Sequence, residues 1–157
     1  MKKRFIRIGI AVSICLLVGF LSSIATQSSI DTWYVNLKKP SFTPPSWIFA
    51  PVWIILYILM GIAAGIVWSK GFYHKWVKTA LYHFGFQLLL NAAWSILFFG
   101  LQSPLIALLD IIALLILLLF TIKWFTIVHS IAAYLLIPYA VWVAFATALN
   151  FGIWQLN

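Results

Sequence analysis

The chain has 157 residues, of which 65% are hydrophobic, 18% aromatic and 8% charged, with 10 Lys+Arg against 2 Asp+Glu and a net charge of +8. A soluble domain carries about 25% charged residues, and a disordered chain is polar and poor in aromatics. Composition therefore excludes both and leaves an integral membrane protein. The single cysteine, Cys15, excludes an internal disulfide framework and a multi-cysteine metal site.

A bilayer core about 30 Å thick needs roughly 20 apolar helical residues. Five stretches qualify: Phe5–Thr26, Trp47–Ser69, Thr79–Phe99, Pro104–Ile122 and Ser130–Trp154. Their apolar runs are continuous rather than alternating and too long for barrel strands, so the expected fold is all-α, a single-domain bundle of five transmembrane helices. A rival reading treats the first stretch as a signal peptide, with Lys2–Arg7 as its basic head and Ser23-Ile24-Ala25 near a cleavage point. Its apolar run exceeds a usual signal core, which favours a span.

The connections carry turn chemistry. Pro40, Pro44 and Pro45 stiffen the long first one, and Gly71 marks the second. In the tight third connection, Gly100–Ser103, Ser103 reads as an N-cap and Pro104 as the first helical residue. The fourth, Lys123–His129, is only weakly polar.

Charge placement sets the topology. With five spans, Lys2, Lys3, Arg4, Arg7, Lys70, Lys75, Lys78 and Lys123 fall on one side, against Lys38 and Lys39 on the other. The positive-inside rule then puts the N-terminus in the cytoplasm and the C-terminus outside. Topology accounts for the basic residues, so nucleic acid is not expected as a partner.

Polar groups inside a membrane need partners or a purpose. Asp110 lies within span four; a structural carboxyl bonded to a neighbouring helix is favoured over a proton or substrate site. Span three aligns Gln87, Asn91, Trp94 and Ser95 on one face, and span five aligns Tyr139, Trp142, Ala146 and Asn150. Span two aligns Trp53, Tyr57, Gly61 and Ala64, with Gly61-x-x-x-Gly65 as a close-packing motif. Pro138 is expected to bend span five.

Of the nine tryptophans, most lie near span ends and fit an interfacial belt. Trp53, Trp94 and Trp142 lie deeper. They suggest an aromatic pocket for a planar apolar ligand, with Asn91 and Asn150 able to fix its orientation; interhelical hydrogen bonding is the alternative role of the span-three polar face, and both can hold at once. His74, His83 and His129 lack the i, i+4 spacing of helical metal ligands. His83 is read as a satisfied or interfacial ring rather than an axial haem ligand. No metal site is expected.

The stretch from Trp33 to Trp68 is the most informative. It contains Trp33-Tyr34, Lys39-Pro40-Ser41-Phe42, Pro44-Pro45-x-Trp47, Pro51-Val52-Trp53 and Leu56-Tyr57. With Asn91-x-x-Trp94-Ser95, Leu109-Asp110 and Pro138-Tyr139-x-x-Trp142-x-x-Phe145-Ala146-Thr147-x-Leu149-Asn150, it resembles the TspO/MBR family. That family includes the translocator protein, or peripheral benzodiazepine receptor, and the tryptophan-rich sensory proteins. The resemblance covers nearly the whole chain except span one.

It implies a homodimeric five-helix membrane receptor or sensor with a pocket under the first loop, taking porphyrins such as protoporphyrin IX. It implies Tyr34, Trp53, Asn91, Trp94, Trp142, Ala146 and Asn150 as ligand-binding residues, with no cofactor required. Two other activities stand as alternatives: light- and oxygen-dependent porphyrin degradation, for which Trp53 and Trp142 would be the reactive indoles, and transport of porphyrins or amphiphiles. The family's sterol segment is incomplete here. Phe151 stands for its Tyr and Gln155 for a basic residue, which weakens the case for sterol binding. The basic N-terminus suits a bacterial plasma membrane.

Overall fold

The computed structural model describes residues 2–157, and among these residues the regular structure is helical throughout. Helix α1 spans Lys2–Ser29 and α2 Phe49–Trp68, the latter preceded by a single 3₁₀ turn, Ser46–Ile48. Helix α3, Lys75–Ser95, runs into a π turn, Ile96–Gly100; α4 spans Pro104–Val128, α5 Ser130–Leu135 and α6 Ile137–Leu156. Five segments are long and apolar enough to cross a membrane, α5 and α6 together forming the fifth. The expected five-span bundle is therefore the observed one, and lipid explains the choice of helix: each backbone group must find its partner inside its own segment.

Packing follows the chain in pairs. Helix α1 lies along α2, α3 along α4, and α4 along α6, while α5 fits against α2 and α4. Small residues set the closest approach. A Cβ on Gly61 would fall on the backbone of Val12, and one on Gly65 on the backbone of Ile8. The Gly61-x-x-x-Gly65 motif thus joins two helices of the same chain, where dispersion across close backbones does what the hydrophobic effect cannot do in lipid. The core around it includes the fully buried Met60, Val67, Leu118 and Tyr139.

The weakly polar fourth connection shrinks to one residue. Helix α4 continues to Val128 because Phe125 is fully buried and holds the extra turns against the core. Only His129 is extended, with φ −162° and ψ 113°. Pro138 does more than bend span five. It lacks an amide hydrogen, and the helix breaks at Leu136 before Ala140 N restores the ladder to Leu136 O at 3.0 Å. At the third connection Ser103 caps as expected, its Oγ accepting from Ile106 N at 3.4 Å ahead of Pro104. Gln102 takes a left-handed φ of 54°, which this tight turn imposes.

Candidate ligand-binding site

Where α1 and α2 diverge from their glycine contact, a cavity of about 380 Å³ opens between α1, α2, α6, the end of α3 and the first loop. Trp53, Trp94 and Trp142 all line it, together with Tyr34, Ala146 and Asn150. Six of the seven residues singled out from the sequence thus share one wall system. Asn91 does not line the cavity; it stands behind the wall.

The aromatic lining is built by helix register. Trp53 meets Trp142 edge to face, with centroids 6.4 Å apart and planes at 89°. Phe49 packs on Trp142 at 6.2 Å, and Trp142 on Phe145 at 5.5 Å. Trp94 stacks on Phe98 at 5.1 Å. These spacings fall in the range where ring quadrupoles favour offset and perpendicular contacts, so the rings hold one another in place.

The first loop closes one end as a lid. A 3₁₀ turn in it, Tyr34–Asn36, buries Tyr34 against Phe99 at 5.6 Å and Phe49 at 6.3 Å. Ser29 Oγ donates to Phe99 O at 2.7 Å and ties the end of α1 to the π turn. Further along, Lys38 N donates to Asn157 Oδ1 at 3.2 Å and Asn157 Nδ2 donates to Lys38 O at 2.8 Å. The Pro40 ring seats on Gly152, where any side chain would collide with it. Proline stiffness and these anchors make the loop an ordered cover.

Both amides expected to orient a ligand are already engaged. Asn150 Oδ1 accepts from Trp94 Nε1 at 2.9 Å, and its Nδ2 donates to Pro104 O at 2.9 Å. Asn150 therefore positions an indole. Asn91 Oδ1 accepts from Tyr57 Oη at 2.6 Å, and Asn91 Nδ2 donates to Tyr139 Oη at 2.7 Å. Tyr139 Oη in turn donates to Gln87 Oε1 at 2.7 Å. This buried chain joins α2, α3 and α6 beneath the cavity floor.

Two buried polar atoms of lining residues lack any partner: Tyr34 Oη and Trp142 Nε1. Burial pushes the Tyr34 hydroxyl pKa up to about 12, so it remains a donor across the physiological range. A buried donor without an acceptor costs about 1–3 kcal/mol, and a ligand offering acceptors would relieve that cost once either side chain turned its donor into the cavity. Asp110 is half-buried, with Oδ2 unpartnered, so that oxygen makes no bond to a neighbouring helix. It is absent from the cavity lining.

Residues not singled out for the site also form its wall. Ser22, Ser23, Thr26 and Gln27 of α1 line it, as do Phe49, Tyr57 and Phe98. The α1 group carried a readable signal, because four polar residues at i, i+1, i+4 and i+5 mark one helical face near the end of an apolar span.

Fold and site together define an integral membrane protein whose five-span helical bundle encloses an aromatic-lined cavity. The TspO/MBR family model matches residues 11–155. Tryptophan-rich protein TspO of Archaeoglobus fulgidus is 50% identical over 143 residues, covering 90% of this chain and 91% of the relative. The human translocator protein is 41% identical over 128 residues, covering 80% and 75%, and the tryptophan-rich sensory protein of Cereibacter sphaeroides is 35% identical over 127 residues, covering 81% and 78%. The chain belongs to the TspO/MBR family.

Proposed function

We propose that this protein is a membrane receptor or sensor that binds a porphyrin of the protoporphyrin IX type in the cavity under the first loop. The observation that supports it most is the pairing of a ring-lined cavity with two unpartnered donors, Tyr34 Oη and Trp142 Nε1. A planar molecule with apolar faces and acceptor groups at its rim suits both features: the indoles take the faces and the donors take the rim. The cavity's size, about 380 Å³, is in the usual range of small-molecule sites. In this reading Asn91 and Asn150 hold the wall and contribute indirectly. The receptor sits in a bacterial plasma membrane with its N-terminus cytoplasmic, and works as a homodimer.

The test is a titration of protoporphyrin IX into purified protein, read by tryptophan quenching. Saturable quenching in the wild type that weakens in Trp142→Ala and Tyr34→Phe supports the reading. Equal quenching in all three proteins contradicts it.

A second reading, light-driven porphyrin oxidation, draws on the contact between Trp53 and Trp142, since adjacent indoles beside an excited pigment can exchange electrons with it. A porphyrin spectrum that bleaches under light no faster with protein than without it would dismiss this activity.

A further inference from the structure

The outer side of α3 and α4 carries a second depression, remote from the cavity. It is a shallow groove of about 470 Å³ formed by Tyr82, His83, Phe86, Leu89 and Leu90 of α3 and Leu117 of α4. Leu90 and Leu117 are half-buried, whereas Phe86 and Leu89 stand exposed along the rim.

Towards the end of the bundle that carries the N-terminus, the groove meets a pair of indoles. Trp76 and Trp124 stack with centroids 5.4 Å apart and 20° between planes. His83 lies 5.9 Å from Trp124 and is held by contact of its Nδ1 with Thr79 O at 2.8 Å, so the ring forms a neck between indoles and groove. Two ammonium groups lie over the same indoles, Lys75 Nζ at 5.4 Å from Trp76 and Lys123 Nζ at 5.5 Å from Trp124. The chain's two acids are far from them in the fold. Asp31 follows α1 and Asp110 lies near the start of α4, both towards the opposite end of the bundle.

We propose that the α3–α4 groove is a binding site for an anionic phospholipid, with an acyl chain along Phe86, Leu89, Leu90 and Leu117 and the phosphate held by Lys75 and Lys123 beside the stacked indoles. The order of chemistry along the groove is that of the lipid itself: apolar, then amphipathic rings, then cation. Charge argues against a second copy of the chain as occupant. Two copies in one membrane share an orientation, so a two-fold partner would bring its own Lys75 and Lys123 to this face at the same depth. Like charges would then meet where a phosphate would be attracted.

Native mass spectrometry of the full-length protein, supplied with equimolar dioleoylphosphatidylglycerol and dioleoylphosphatidylcholine, tests this. The expected result is one retained phosphatidylglycerol, preferred about thirtyfold over phosphatidylcholine, as two interfacial lysines imply. Lys75→Gln with Lys123→Gln should abolish the preference, and Leu117→Trp should displace the lipid without changing charge. Lys2→Gln with Lys3→Gln removes equal charge elsewhere and should leave retention unchanged. Equal retention of both lipids, or equal loss in the two double variants, overturns the proposal. So does a Leu117→Trp protein that falls from dimer to monomer while keeping its lipid, because that outcome assigns the groove to a second copy.

Discussion

Helices α1 and α2 form two unlike halves. Near Ile8 and Val12 they touch backbone to backbone through Gly61 and Gly65. Further along, Tyr57 packs against Gly19, the helices separate, and the aromatic cavity begins. One half is closed because glycine removes the side chain that would hold the helices apart. The other is hollow because aromatic rings prop them open and brace one another. In a bilayer, where burial alone supplies no net drive between helices, residue size decides where a membrane protein is solid and where it has room for a ligand.

The largest expected effect is on the closed half. Gly65→Leu drives a branched side chain into the Ile8 backbone and should cost about 3 kcal/mol or more, seen as a lower melting temperature and poor yield in detergent. The matching change in the hollow half, Trp142→Ala, should spare folding far more. It removes a central ring from the cavity and should weaken protoporphyrin IX binding about thirtyfold, the scale of a central aromatic anchor.

The polar chain between the halves should respond differently again. Asn91→Leu leaves Tyr57 Oη without its acceptor and removes the donor to Tyr139, for a stability loss of about 2 kcal/mol. Asn150→Leu frees Trp94 Nε1 and Pro104 O and should cost about 1 kcal/mol. A change in the fluorescence of Trp94, isolated by replacing other tryptophans, would report its loss of position. If Asn91→Leu left stability intact but abolished binding, the role of Asn91 as a support behind the wall would be wrong.

The smallest expected effect is a pH dependence at the closed end. Burial of the His129 ring, then the charges of Lys70 and Arg4, lower its pKa below the usual histidine value. The unfolded chain therefore takes up the proton more readily than the folded one, and stability should decline as pH falls through and below about 6.5. Thermal unfolding of wild type and His129→Gln between pH 8 and pH 5 should show a slightly flatter profile in the variant.

The sequence made the closed half and the hollow half legible to different degrees. The five spans follow from continuous apolar runs, and the deep indoles from helical periodicity. The amides were legible only in part, because periodicity places Asn91 and Asn150 on inward faces without saying what they meet there. Their neighbours, Tyr57, Tyr139 and Trp94, hydrogen-bond them across helices. The unpartnered Tyr34 Oη and Trp142 Nε1 were invisible for the same reason, since a missing partner is a property of the packed state. The end of α4 was hidden because Lys123 and His129 look like loop boundaries until the burial of Phe125 shows that the helix runs through.

The most direct test of a cavity built for a planar ligand is a structure of the protein with protoporphyrin IX bound. Tetrapyrrole density is expected beneath the first loop, in contact with Trp53 and Trp142, with an acceptor atom of the ligand within hydrogen-bond distance of Tyr34 Oη or Trp142 Nε1. Density confined to the α3–α4 groove or the bundle exterior, with the cavity unchanged and empty, would contradict it.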